Sequence, residues 1–527
     1  MSAKHLSQWN PTIAPPSVKP APEREALSDI RHLVGPAFQP PELPTAVLVF
    51  HGIGEEVRFE TLSRTASLIL MEAKERKAND ISVVIRSVPK DATATQLEVR
   101  AELSWTEIDG MERRVDVYEA YWAPLTMGQV KYGETVSFLA ASGWNGLRGT
   151  IFSGRAGTYK RWLFGDFREL RTTAGTLPLL VLLMTMVGFV AAVIAMAASA
   201  VAGVARYAGS GDRTGIVNAA NFIYNQIAIP WNGVLRLTGR LIHGQGWVEH
   251  LTFNSSLSWA FWWQGLLAFL LWVGLIVVAF WLRDLITQYA GSLVAYLSPY
   301  KDSKFEKLRS DIQQVGLDAA NLIYEGYNLP SNWIPKYEKV VILGHSLGSV
   351  IAYDTLNAMI NRESARNPEG APNNPAVDRT RALITFGSPL DKTAFLFRVQ
   401  LNVESNSLDE EGSLRETMVS AVQPLIADYK YRFDPDRAPH GPDWINLWSR
   451  MDIISGHLDY YDDPDVRMAE EKKAQVSKAE NAKDAERAPQ GPCVQNLQDP
   501  GAWIPIAAHN QYWTTKLLRS TVYDQLF

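Results

Sequence analysis

One serine in this sequence stands where a hydroxyl can be made to react. Ser346 is the centre of Gly344-His345-Ser346-Leu347-Gly348, a G-x-S-x-G pattern. An apolar run, Val340 to Leu343, precedes it, and helix-compatible residues follow from Leu347 to Ile360. A tight strand-to-helix turn strains the serine backbone and lifts the hydroxyl clear of the sheet, and small residues two places to either side permit the close approach this needs. The turn also sets Ser346 at a helix N-terminus, where backbone N–H groups favour developing negative charge. A serine hydroxyl is a poor nucleophile near neutral pH, so an imidazole base oriented by a carboxylate is required. Together such groups perform acyl transfer through a covalent intermediate.

For a nucleophile on this kind of turn, the partners follow in the order Ser, Asp or Glu, His. Three histidines remain beyond Ser346: His440, His457 and His509. His509, in Ala507-Ala508-His509-Asn510-Gln511, is preferred as base because it follows the last strand-like region and precedes a final helix. His457 is its competitor, and His440 sits in a Pro/Gly loop. The acid is expected at the end of the strand Trp444 to Trp448, where Asp452 stands; Asp462, Asp463 and Asp391 are the alternatives. Oxyanion donors are expected from the amide of Leu347, next to the nucleophile, and from the loop His51-Gly52-Ile53-Gly54. Here Gly52 is assigned the backbone twist that turns the Ile53 amide inward, and His51 the packing and hydrogen bonding that shape the loop. No metal or organic cofactor is required.

These residues need a scaffold. Thr45 to Phe50 is a continuous apolar run ending in glycine punctuation, as in a strand buried on both faces. A helical pattern follows over 60–76, then strand-like segments at 81–88, 97–105 and 113–121. After a break, 305–324 reads as a helix, 339–344 as a strand, 347–360 as a helix, and 382–386 and 444–448 as strands. Strands alternating with helices give an α/β class with a mostly parallel central sheet flanked by helices. Arg362 to Asp378 reads as a loop, and the Lys/Glu/Ala-rich 468–490 as a solvated helix or disordered insertion.

The break is the strongest compositional feature. No charged residue occurs from Thr172 to Ala205 or from Leu251 to Leu282. Roughly 20 apolar helical residues cross a hydrocarbon layer about 30 Å thick, so a two-helix transmembrane hairpin is expected, with spans near 177–203 and 262–282. Trp262, Trp263 and Trp281 bracket the second span. Lys160, Arg161, Arg168 and Arg171 before the first block, and Arg283, Lys301, Lys304 and Lys307 after the second, favour both flanks being cytoplasmic. Apolar residues within 206–250 could form an interfacial helix. Four regions result: a proline-rich, partly disordered tail (1–44) without a secretory h-region, the first part of the α/β domain (45–160), the inserted hairpin (161–300), and the second part (301–527). The net charge of −5 and the absence of a basic run set nucleic acid aside. The lone cysteine, Cys493, fits a reducing compartment and reads as a loop thiol.

The chain resembles α/β-hydrolase-fold serine lipases and esterases, notably the inositol-deacylase-like and DDHD-type lipid hydrolases. The similar islands are Val-Phe-His-Gly-Ile-Gly (49–54), Gly-His-Ser-Leu-Gly (344–348), Phe-Gly-Ser-Pro-Leu-Asp (386–391), Asn-Leu-Trp (446–448) with Asp452 beyond, and Ala-His-Asn-Gln-Tyr-Trp (508–513). The resemblance implies ester hydrolysis through an acyl-enzyme. The inserted hairpin, absent from soluble members, suggests a lipid ester and a lipid bilayer as partners. A hydrolase-fold scaffold without turnover, and a thioesterase or serine peptidase on the same fold, are the alternatives.

Overall fold

A computed structural model describes residues 43–53, 57–89, 97–126, 129–152, 176–208, 259–297, 303–328, 333–366, 376, 379–393, 396, 442–458, 461, 494–505 and 507–527. The N-terminal tail, most of the segment between the apolar blocks, the 468–490 insertion and Cys493 lie outside these residues.

The chain enters through β1 (Thr45–Phe50), continues into α1 (Glu60–Glu75) and then runs through β2 (Asn79–Pro89), β3 (Leu97–Thr106) and β4 (Glu112–Ala120). A short α2 (Ala123–Thr126) leads to α3 (Tyr132–Phe152) and the apolar helices α4 (Thr176–Ala208) and α5 (Trp259–Leu297). Next come α6 (Ser303–Tyr324), a small ribbon of β5 (Gly326–Asn328) and β6 (Trp333–Pro335), β7 (Val340–His345) and α7 (Leu347–Arg366). The chain finishes with β8 (Thr380–Phe386), β9 (Asp443–Trp448), β10 (Gln495–Gln498), α8 (Ala508–Gln511) and α9 (Lys516–Leu526).

The main sheet has eight strands in the order β10-β9-β8-β7-β1-β4-β3-β2. Six strands, from β10 to β4, run parallel, and β3 and β2 extend the sheet as an antiparallel meander. This is an α/β fold, and its centre explains the uninterrupted apolar runs in the sequence. In β1, Ala46, Leu48 and Phe50 face one core, shared with α5, α6 and α7. Val47 and Val49 face the other, shared with α1 and α9. Side chains alternate along a strand, so a strand covered on both faces has no position to give to a polar residue. In α1 the buried positions Leu62, Ala66, Ile69 and Ala73 follow helical spacing onto that second core. Helix α9 closes the same face with Leu518, Val522 and Leu526, capped by Thr515. Thr45 Oγ1 donates to the carbonyl of Leu526 at 3.0 Å, joining the first strand to the last helix.

The expected second span stops at Leu282, but α5 is one continuous helix of 39 residues. Past Arg283 and Asp284 its polarity turns one-sided, and Ile286, Ala290, Val294 and Leu297 dock on the sheet core. The end of α5 is therefore part of the packed core on that face of the sheet. Tyr296 donates to Asp354 Oδ2 of α7 at 2.5 Å, and Arg309 and Gln313 of α6 reach the same oxygen at 3.1 and 3.2 Å. Helix α3, which the sequence pattern does not reveal, packs against α4 and α5. Among the described residues, one helix contains a segment long and apolar enough to cross a membrane, Leu179–Ser199, with mean hydropathy 2.7. The expected loop from Arg362 is also corrected: α7 runs on to Arg366, because the helical spacing continues through Ile360 into a polar last turn.

Candidate active site

The chain leaves β1 towards β4 and leaves β7 towards β8. The loops after these two neighbouring parallel strands diverge, and such a switch point opens a crevice at the carboxyl edge of the sheet. Ser346 lies on one side of it, and Gly52 and Ile53 on the other.

Ser346 has φ 52° and is 3% exposed. A left-handed backbone costs a non-glycine residue of order 1–3 kcal/mol and persists only where its surroundings over-determine it. They do so here. The Ser346 N–H donates to Phe386 O at 3.1 Å, its carbonyl accepts from Ser349 N at 2.9 Å, and Ser349 Oγ donates to Gly344 O at 2.8 Å. A methyl on Gly344 would come within 2.5 Å of Ser349 Cα, and one on Gly348 would overlap the carbonyl oxygens of Phe50 and His51. Both glycines of the motif are thus required by backbone-to-backbone approach. Leu347 is the first residue of α7, so its N–H has no acceptor within the helix.

Gly52 departs from its expected role. Its φ is not positive; the reason for glycine is space, since a Cβ would lie 2.9 Å from both Ser346 Cβ and His345 Nδ1. The shaping of the loop comes from His51, which is fully buried and stacked on Trp122. The amides of Trp122 and Ala123 both donate to His51 Nε2, at 3.1 and 3.3 Å, which places the proton on Nδ1; Nδ1 then donates to Gly52 O at 2.8 Å. Burial lowers the pKa of this ring to about 4, the Gly52 bond opposing the shift, so the tautomer is neutral at ordinary pH. With the Gly52 carbonyl held towards His51, the trans peptide directs the Ile53 N–H to the opposite side.

Asp452 and His509 are brought together. His509 Nδ1 lies 2.9 Å from Asp452 Oδ2, and the carboxylate also accepts from Tyr512 OH at 3.1 Å and from Ile454 N at 2.9 Å. Burial alone would raise the Asp452 pKa; the His509 ring, its hydrogen bond, the Ile454 amide and the cation of Lys392 outweigh it and hold the carboxyl well below the usual range. Asp452 lies just past β9, and His509 in α8 beyond β10, a strand that sequence patterning does not pick out.

The imidazole and the serine both neighbour the turn after β8. Ser346 is hydrogen-bonded to Phe386, and a Cβ on the next residue, Gly387 (φ 59°), would sit 3.1 Å from His509 Cε1. His345 binds the two segments directly: its Nε2–H donates to His509 O at 2.9 Å, and the two rings lie 5.0 Å apart. Burial, together with the neighbouring His509, lowers the His345 pKa to about 3. Among the described residues no hydrogen bond joins Ser346 Oγ to the His509 ring; contacts of this kind commonly tighten only when substrate is bound.

The other candidates lie elsewhere. His457 packs its ring on Trp448, 4.3 Å between centroids. Asp391 sits half-buried beside Lys392. His440, Asp462 and Asp463 fall outside the described residues. Sequence reasoning missed four contributors: Gly387, which makes room for the imidazole, His345, Tyr512 and Lys392. Of these, His345, Gly387 and Tyr512 lay inside motifs already singled out, and Lys392 directly follows one. Among the described residues no group of three His, Cys, Asp or Glu side chains is gathered as a metal-ligand set. Comparison with protein-family models, with curated proteins and with solved structures finds no match.

Proposed function

We propose that this chain is a membrane-anchored serine hydrolase of the α/β-hydrolase type that cleaves carboxylic esters, with lipid esters as the substrate class. The observation that carries the reading is the Asp452–His509 pair, 2.9 Å apart, delivered to the turn on which a left-handed Ser346 is held. In the proposed cycle Ser346 Oγ attacks the ester carbonyl while His509 Nε2 takes its proton. Asp452 fixes the ring with Nδ1–H inward and balances the imidazolium. The amides of Leu347 and Ile53 face the developing oxyanion. His509 then protonates the leaving alcohol, and a water activated by the same ring releases the acid.

The test is labelling of the full-length chain with a fluorophosphonate probe, followed by peptide mapping. A single adduct on Ser346 is expected. A folded chain that takes up no probe, or takes it elsewhere, leaves the rival reading, a scaffold that kept the fold without turnover. Ester, thioester and amide panels then separate lipase from thioesterase or peptidase.

The lipid assignment rests on α4 and α5. Val181, Ile194 and Val201 of α4, and Val277, Phe280 and Trp281 of α5, are exposed, Val201 at 70% and Trp281 at 62%. Each large apolar side chain left in water forgoes roughly 1.5–3 kcal/mol of burial, so such a surface calls for apolar surroundings. We read α4 and α5 as a two-span hairpin with the α/β domain on the cytoplasmic side, as the flanking Lys/Arg bias suggests. Leu180 is buried in the apolar cluster on one face of the sheet, against which Leu177 and Ile53 also pack. The expected result is that the chain stays in the membrane fraction after carbonate extraction. Recovery in the soluble fraction would remove the anchor and, with it, the argument for lipid.

A further inference from the structure

Lys392 stands where lysines are rarely found. It is 2% exposed, in the short segment after β8, behind the loop that carries Asp452. Its Nζ donates to Ser455 O at 3.1 Å. Ser455 Oγ lies 3.0 Å from Tyr512 OH, and that hydroxyl donates to Asp452 Oδ2, the oxygen that receives His509 Nδ1. A line of polar contacts thus runs from a buried ammonium to the candidate base through Ser455, Tyr512 and Asp452. An apolar side chain of similar length would fill this space at less cost in desolvation. A clamp on the loop alone would not need a charge.

We propose that Lys392 is a positioning residue of the hydrolase: it pins the Asp452 loop and places a positive charge behind the carboxylate, setting the pH range in which His509 acts as base. This rests on the hydrolase reading above. Asp391 and Asp452 act on the ammonium itself; Asp452 in turn faces His509 and Tyr512, Asp499 after β10 acts on Tyr512, and His345 on β7, with Arg64 of α1 acting on it, faces the His509 ring. Burial draws the ammonium down to about 8, while Asp391 and Asp452 favour its charged form. The sign follows from Coulomb's law. A cation near the Asp452–His509 pair disfavours a second positive charge on the imidazole, so the base stays free to lower pH; without that cation the ring is protonated more readily and the acid limb moves up.

The test uses the full chain in detergent micelles and follows the rate of fluorophosphonate labelling at Ser346 from pH 5 to 9. In Lys392→Met the acid limb is expected to rise by about one pH unit. Lys392→Arg, which keeps the charge, is expected to return the limb towards wild type. A folded Lys392→Met protein with an unmoved limb overturns the proposal and reduces Lys392 to a packing role. Should the Met variant fail to fold, a folded Arg variant with a limb displaced as far as one unit overturns it equally, and a limb in place supports it. A wild-type chain that never labels fails the hydrolase reading itself, a result distinct from labelling with an unmoved limb.

Discussion

Ser346→Ala is expected to abolish fluorophosphonate labelling and to lower ester turnover about 10⁴-fold or more, while leaving the fold intact. The first part follows from chemistry: without Oγ no acyl-enzyme forms, and only oxyanion binding and substrate orientation remain. The second follows from geometry. The bonds that hold this turn use the Ser346 backbone, through Phe386 O and Ser349 N, and among the described residues the hydroxyl takes part in none of them. Removing it leaves the strained φ and the glycine contacts as they were. A thermal unfolding midpoint within about 2 °C of wild type is therefore expected, since side-chain changes that break no buried contact stay within about 0.5 kcal/mol. Turnover within tenfold of wild type would show that Ser346 is not the nucleophile.

Asp452→Asn is expected to lower kcat about 10⁴-fold and to destabilise the chain by about 1–3 kcal/mol. Asp452 accepts from three donors: Ile454 N on one oxygen, His509 Nδ1 and Tyr512 OH on the other. An asparagine replaces one oxygen by an NH₂ group. In one orientation the amide opposes the Ile454 N–H; in the other it opposes Tyr512 and drives the His509 proton to Nε2, where the lone pair is needed. In both the imidazolium loses its buried counter-charge. Steady-state kinetics and denaturant unfolding check the two figures, and a loss of kcat below tenfold would remove Asp452 from the acid's role. The pH dependence has a definite sign. The folded-state carboxyl is depressed, so its contribution to stability is present above the ordinary carboxylate pKa and disappears as pH falls through the folded value. The stability gap between wild type and Asp452→Asn should therefore narrow at strongly acid pH.

The centre of the sheet was legible in the sequence because its strands are covered on both faces. Apolar-rich runs at 45–50, 339–344 and 382–386 admit few other readings, and the observed strands lie within two residues of them. β10 escaped because Gln495–Gln498 is a short edge strand whose polar residues carry no apolar run. Helix α3 escaped because Tyr132–Phe152 mixes Gly, Ser, Thr and aromatics of low helix propensity, and is held by packing on α4 and α5 instead. Ser346, Asp452 and His509 were legible from motif and chain order, and the structure brings Asp452 and His509 into contact. What sequence order cannot carry is the set of supports that arrive from across the fold. Gly52 looked like a conformational glycine, yet its constraint comes from a histidine nearly 300 positions later. Tyr512 stood in a quoted motif without a role, and Lys392 drew no notice; the contacts with Asp452 and its loop give them a part.

The hydrogen bond between Thr45 and Leu526 has a consequence for biosynthesis. It spans 481 positions, and the helix it fixes supplies one wall of the apolar layer beneath β1. While the polypeptide is being made, β1 emerges well before that wall, which follows it by more than 400 positions. Contacts so distant in order slow folding and leave apolar surface uncovered meanwhile. Losing Lys516–Leu526 would therefore unroof the oldest part of the sheet, far along the chain from the change itself.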